Sequence, residues 1–217
     1  MENKETNTPL TEVQDASDIL ARAKANSKRI LTLSIFIFVV LAAALIWFFV
    51  ARSNAAKADE AIGRAEIEQN DSIALQLYKE AATMGHKSGN RAKLEVGIRL
   101  YQQHDYQGAL EYLKDASVGD NIIAAGALTL EGDCYVNLQN YSDALRAYDK
   151  AVKAADKNPA IVPLILIKKA QVYRAQKDYE GEYKAYKQIM DDYPSYDNSA
   201  QFDVRKYYER AKAAAGK

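Results

Sequence analysis

The residues that most often carry chemistry are few in this chain and poorly spaced for it. There are two histidines, His86 and His104, and one cysteine, Cys134. A metal site needs several His, Cys or carboxylate ligands close together, and neither histidine has such neighbours at ligand spacing. Asp191 and Asp192 precede Tyr193 and Pro194 at a helix end and read as solvated charges rather than a paired acid and base. Cys134 falls in the middle of a helical segment and reads as a small buried hydrophobe. The chain has no Gly-rich phosphate loop, no Gly-x-Ser-x-Gly elbow and no HExxH. Its fifteen tyrosines recur at positions that packing explains. The sequence therefore predicts no enzyme, no cofactor and no metal.

Composition narrows the remaining classes. Twenty-nine basic and 29 acidic residues leave a net charge of zero, so the basic footprint that nucleic-acid binding requires is missing. A single cysteine excludes an internal disulfide and fits either redox environment.

With chemistry set aside, the dominant feature is Ile30 to Val50, ILTLSIFIFVVLAAALIWFFV. It holds 21 residues without a charge, and its polar side chains are Thr32 and Ser34. A helix of that length covers roughly 32 Å, against a bilayer hydrocarbon core of about 30 Å. Lys28 and Arg29 stop it on one side and Arg52 on the other, and Trp47, Phe48 and Phe49 sit at its end, where such rings favour the headgroup level. A core helix is rarely apolar on every face for so long. A cleaved signal peptide has a shorter core nearer the N-terminus. The stretch predicts a single transmembrane signal anchor, with a tail over 1–29, a span over 30–50 and a soluble part over 51–217. Arg22, Lys24, Lys28 and Arg29 on the N-terminal flank outnumber Arg52, Lys57 and Arg64 on the other, which by the positive-inside rule favours a cytoplasmic N-terminus.

Within the tail, Met1 to Thr8 is polar, and Leu10 to about Lys28 has helical potential that is equally consistent with a short helix or with no fixed structure. After Val50 the pattern is helical throughout, without sustained period-2 alternation, so no strands are predicted. Residues Asp105 to Ala116 align with Asn140 to Ala151 at an offset of 35: Tyr106 with Tyr141, Ala109 with Ala144, Leu110 with Leu145, Ala116 with Ala151. Ahead of them Gly97 aligns with Gly132 and Leu100 with Tyr135. A third copy starts at Asp178, with Ala170, Tyr173, Tyr179 and Tyr186 at the matching positions and Pro194 closing the unit. A weaker copy upstream contains Ala74, Tyr78 and Ala81. This is the pattern of antiparallel helix pairs: small residues permit close approach, aromatic residues and leucines fill the layers, and several pairs must stack to bury their apolar faces.

The repeats resemble tetratricopeptide repeats over about Ala55 to Pro194. The third copy departs from them, with Glu182 where alanine is expected and Ile189 for the last alanine. Asp197 to Ala215 reads as a capping helix, with Asp197, Asn198 or Ser199 as its cap, Phe202, Tyr207 and Tyr208 as its packing face, and Lys206, Arg210, Lys212 and Lys217 outside. The expected fold is all-α: one membrane helix, then an α-solenoid of three to four pairs and a cap. In the resembled family the binding surface is the concave face lined by each first helix. Carried over, that gives Arg91, Leu94, Ile98, Tyr101 and Gln102, then Thr129, Asp133, Val136 and Asn137, then Leu164, Ile167, Gln171 and Arg174. Some of these residues are equally explained by helix–helix packing. The clustered cations of members that clamp acidic tails are missing, so the face suits an extended or helical protein segment.

A signal anchor followed by such an array also resembles the bacterial ancillary subunit of the Sec translocon. That resemblance implies an inner-membrane protein whose periplasmic repeats meet translocon subunits, chaperones or envelope proteins. A self-assembling component of an envelope or division complex is the alternative, although Ala42, Ala43 and Ala44 do not form a G-x-x-x-G dimer motif.

Overall fold

A computed structural model describes residues 10–117, 119–196 and 203–217. Among them there are nine α-helices and no strand. The chain separates into a first unit ending at Ser53 and a second, Asn54–Lys217.

Helix α1 is Leu10–Ile67 and contributes to both units. The stretch from Leu10 to Lys28 is therefore helical. Within the first unit, every large apolar side chain from Ile30 to Val50 is half or more exposed. The two hydroxyls of this run bond back to their own helix, Thr32 Oγ1 to the Arg29 carbonyl at 2.9 Å and Ser34 Oγ to that of Leu31 at 2.9 Å. Neither hydroxyl would therefore be left unpaired in an apolar medium. It is the one helix among the described residues long and apolar enough to cross a membrane.

The second unit opens with the end of α1 and α2 (Asp71–Ala82). It continues as α3 (His86–Gln102) with α4 (Tyr106–Leu113), α5 (Asn121–Asn137) with α6 (Tyr141–Ala154), and α7 (Val162–Ala175) with α8 (Tyr179–Asp192). A 3-10 turn, Pro194–Tyr196, leads towards α9 (Val204–Ala214).

One turn is built three times. His104, Gln139 and Lys177 take left-handed backbone, φ 62°, 58° and 61°. The next residue then donates its N–H back across the helix end: Asp105 to Leu100, Asn140 to Tyr135 and Asp178 to Tyr173, at 2.8–2.9 Å. These bonds satisfy carbonyls that a helix end leaves open. The same three residues cap the following helix, their side chains accepting from the N–H of Gly108, Asp143 and Gly181. The repeated Asp/Asn-Tyr pair is thus both a stop and a start signal.

The small residues of the first helices are where packing needs them. A Cβ on Gly97 would come within 2.6 Å of the Leu113 side chain, and one on Gly132 would run into the Tyr148 ring. Ala170 is fully buried. Two buried cores result, one from Ala58 to Cys134 and one from Ala125 to Ala211, and the half-buried Tyr135 packs against both. Helix α4 stops at Leu113, so Ala116 lies beyond it rather than in a helix like its counterpart Ala151. The connection before α7 is lengthened by Asp156 and Lys157, both left-handed at φ 44° and 59°, and this breaks the offset of 35.

The third pair uses different chemistry. Its small residue is Gly181, where an added Cβ would sit 2.6 Å from the Tyr173 ring. Glu182, the next residue, is 0% exposed. Arg174 of α7 reaches its Oε2 at 3.3 Å, and Arg210 of α9 donates to its Oε1 at 2.6 Å. Helix α9 is capped by Asp203, which accepts from the Lys206 N–H at 2.9 Å. The expected caps Asp197, Asn198 and Ser199, and Phe202 of the packing face, lie outside the described residues. Val204 and Ala211 are fully buried, and Tyr207 and Tyr208 lie against Tyr186 and Tyr183 with ring centroids 6.0 and 5.5 Å apart. Of the cations expected on the outer face, Arg210 is instead turned inward. Lys217 pairs with Glu180 at 3.4 Å, and Lys212 stands 5.9 Å from the centre of the Tyr208 ring.

Candidate functional site

Residues of α3, α5, α6 and α7 converge on one solvent-open cavity of about 270 Å³ in the second unit. It brings together five residues expected from sequence: Tyr101, Asp133, Val136, Asn137 and Gln171. Tyr141, Tyr148, Lys168, Val172 and Ala175 complete its lining.

Its floor is an ion pair with a third partner. Lys168 Nζ stands 3.0 and 2.9 Å from the two carboxylate oxygens of Asp133, and the Tyr148 hydroxyl donates to Oδ1 at 2.6 Å. The Asp133 side chain is 17% exposed and that of Lys168 40%. The carboxylate is therefore fixed by two donors, and the ammonium faces the opening. Asn137 turns its amide to the Asp133 carbonyl at 2.8 Å. Burial, and then the hydrogen bond to Asp133 and its charge, raises the pKa of Tyr148 far above the ordinary tyrosine value. Burial and the Asp133 charge also raise that of Tyr101. Both hydroxyls stay protonated at physiological pH, and that of Tyr148 is the donor to Asp133. Beneath the floor, burial pushes the Cys134 thiol up to about 12, so it is unreactive.

The other expected residues lie elsewhere. Arg91 and Leu94 line a second, wider opening of about 640 Å³ with Glu95 and Ile123, and Arg91 pairs with Glu66 at 2.6 Å. Ile98 is half-buried and Gln102 exposed. Thr129 spends its hydroxyl on the Ala125 carbonyl at 2.7 Å. Leu164 is exposed, whereas Ile167 is only 7% exposed and belongs to the core. Arg174 is held by Glu182. Among the described residues no cluster of three or more His, Cys, Asp or Glu could hold a metal. His104 Nδ1 meets the Tyr106 hydroxyl at 2.8 Å, and Asp191 is an exposed partner of Lys187.

Sequence reasoning missed Lys168 and the hydroxyl of Tyr148. Lys168 lies on the face of Leu164 and Gln171, four residues after the one and three before the other, but the register carried over takes its neighbour Ile167 in its place. Tyr148 occupies a repeat aromatic position, and its ring is indeed in the core. Its polar end nevertheless reaches the cavity.

No protein-family model matches this chain, and no curated protein matches it. Among solved structures it is similar to the crystal structure of MamA protein, with TM-score 0.53 and 16% identity over 77% of this chain and 83% of that one. A second MamA crystal structure matches 67% of this chain and 88% of its own at 16% identity and TM-score 0.48. At this identity the first likeness speaks for the fold alone, an all-helical array of tetratricopeptide type.

Proposed function

We propose that the chain is a membrane-tethered scaffold that presents its repeat cavity to protein partners. The observation that carries this is the pairing of an exposed apolar helical run with a repeat array whose first helices form an open, polar-floored cavity. The run of Ile30 to Val50 is the single span. Its flanking charges favour a cytoplasmic N-terminus, with the array in the periplasm of a bacterial envelope. Tethering raises the effective concentration of the array near other membrane components. The cavity has apolar walls at Val136 and Val172 and a rim of Tyr101, Asn137 and Gln171, a mixture suited to a peptide segment. Translocon subunits, chaperones or exported envelope proteins are the partners this reading names, and it assigns no catalysis.

Photocrosslinking in cells from Gln171, replaced by a photoreactive residue, tests the partner. Recovery of translocon subunits, chaperones or exported proteins supports the reading, whereas crosslinks between copies alone replace it with self-assembly. Topology has a separate test, because the buried Cys134 is inert and a cysteine placed at exposed Gln102 is the reporter. Labelling of Q102C by a membrane-impermeant maleimide from the periplasmic side supports the orientation. Protection until the inner membrane is breached reverses it.

A further inference from the structure

The end of the array carries a device that the repeats before it lack. At the aligned position of the second helices, α4 has Ala109 and α6 has Ala144, both fully buried. Helix α8 has Glu182, equally buried, with one arginine arriving from the helix before it and one from the helix after it. The nearer contact, 2.6 Å, belongs to Arg210 of α9; the Arg174 contacts are 3.3 and 3.5 Å. Arg210 also lies over the Tyr207 ring at 4.7 Å, which fixes the direction from which it approaches.

We propose that Glu182 is a selector for what may stack on α8: a helix seated there must bring a cation into register with Arg210. A carboxylate removed from water and left short of partners is strongly destabilising, whereas an alanine at the same place accepts any apolar helix face. The apolar part of the α9 seat is otherwise permissive, since α8 offers the rings of Tyr183 and Tyr186 with Ile189, against which Val204 and Ala211 of α9 pack. An array with alanine there would offer an open, heterologous surface on which a second copy could stack and growth would have no natural stop. Among the first helices, α5 contains no lysine or arginine to answer the carboxylate, whereas α3 and α7 carry both and could answer it only with a cation at the place Arg210 takes. Glu182 and Arg210 thus admit the chain's own last helix and turn away a helix of another copy that puts no cation at that place, a specificity made by a penalty against the wrong partner.

The test uses the full chain in detergent micelles and opens the seat by a route that leaves Glu182 alone. A glutamate at fully buried Ala211 expels α9, seen as rapid amide exchange over Val204–Ala214. With the seat open, A211E stays at the mass of one chain per micelle across the concentration range in sedimentation. A211E/E182A, with the selector removed, self-associates about 100-fold more strongly or beyond, the scale on which an unpartnered buried charge is felt. Equal association of the two variants overturns the proposal. A second cycle removes dependence on A211E: R210E frees α9 to exchange in the presence of Glu182, and E182A/R210E protects it again. If E182A/R210E exchanges as fast as R210E alone, the carboxylate does not select the helix.

Discussion

The pairs α5/α6 and α7/α8 share a turn and a cap, yet they hold together by different means. In α5/α6 the approach is steric: the Tyr148 ring lies where a Cβ of Gly132 would be, and Ala144 and Ala151 keep the seam narrow. In α7/α8 the matching alanine is replaced by a buried carboxylate, and the small residue has moved one place, to Gly181 under Tyr173. The first solution is repeatable, since any similar helix fits a smooth seam. The second is singular, since it needs two arginines at fixed places. The comparison teaches that a repeat array separates its interior from its end by polar specificity rather than by a change of fold.

The largest effect should come from stranding the charge. Replacing Arg174 and Arg210 together by methionine leaves Glu182 buried without a cation and should cost about 3–5 kcal/mol. Chemical denaturation of the full chain in non-ionic detergent measures it. Adding Glu182→Ala to the double variant should restore most of the loss; failure to restore it would show that the arginines act by packing. Next in size is the steric seam. Gly132→Ala forces the pinned Tyr148 ring aside and should cost about 1–3 kcal/mol. Gly126→Ala on the same helix, where an added Cβ meets nothing within 4 Å, should instead gain about 0.5–1 kcal/mol. Equal effects at the two glycines would mean that helix propensity, and not the seam, decides.

These contrasts also mark what could be read in advance. The offset of 35, the Asp/Asn-Tyr pairs and Gly97 and Gly132 were enough to lay out the helix pairs, because each is a local rule with a sequence signature. Glu182 was legible as a departure but not as a solution, since its answering cation lies 28 residues away in α9. Lys168 and Asp133, 35 residues apart, meet only after three helices have packed. Ile167, for which groove and packing were equally open, is core: α7 buries Val162, Ile165, Leu166, Ile167 and Val172 around much of its circumference, so the carried-over position does not face outward there. The left-handed residues were missed because His104, Gln139 and Lys177 are not glycines.

A pH-dependent contrast lies on the other face of α5. Glu131 is buried with no cation held directly against it, unlike Glu182, and desolvation raises its pKa despite the pull of Lys150 and Lys114. A carboxyl whose folded pKa lies above its unfolded value binds its proton more tightly in the native state. It therefore lowers stability as pH rises through the window from the unfolded value, near 4.3, to the raised folded one. Glu131→Gln should be more stable than the parent at pH 7, with the difference shrinking as pH falls towards about 4. A constant difference across that range would assign the effect to packing.

The smallest effect tests the part the two pairs have in common. Lys177 and Gln139 are exposed and sit in the left-handed region that side chains with a Cβ enter at a cost of roughly 1–2 kcal/mol. Glycine has no such penalty but loses more freedom on folding, about 0.5–1 kcal/mol. The two nearly offset, so Lys177→Gly and Gln139→Gly should each gain no more than about 1 kcal/mol. Because the turns are built from the same bonds, the two gains should also agree with each other. A gain at Gln139 with a loss at Lys177 would mean that the third turn depends on its side chain, and the difference between the pairs would then begin at the turn rather than at Glu182.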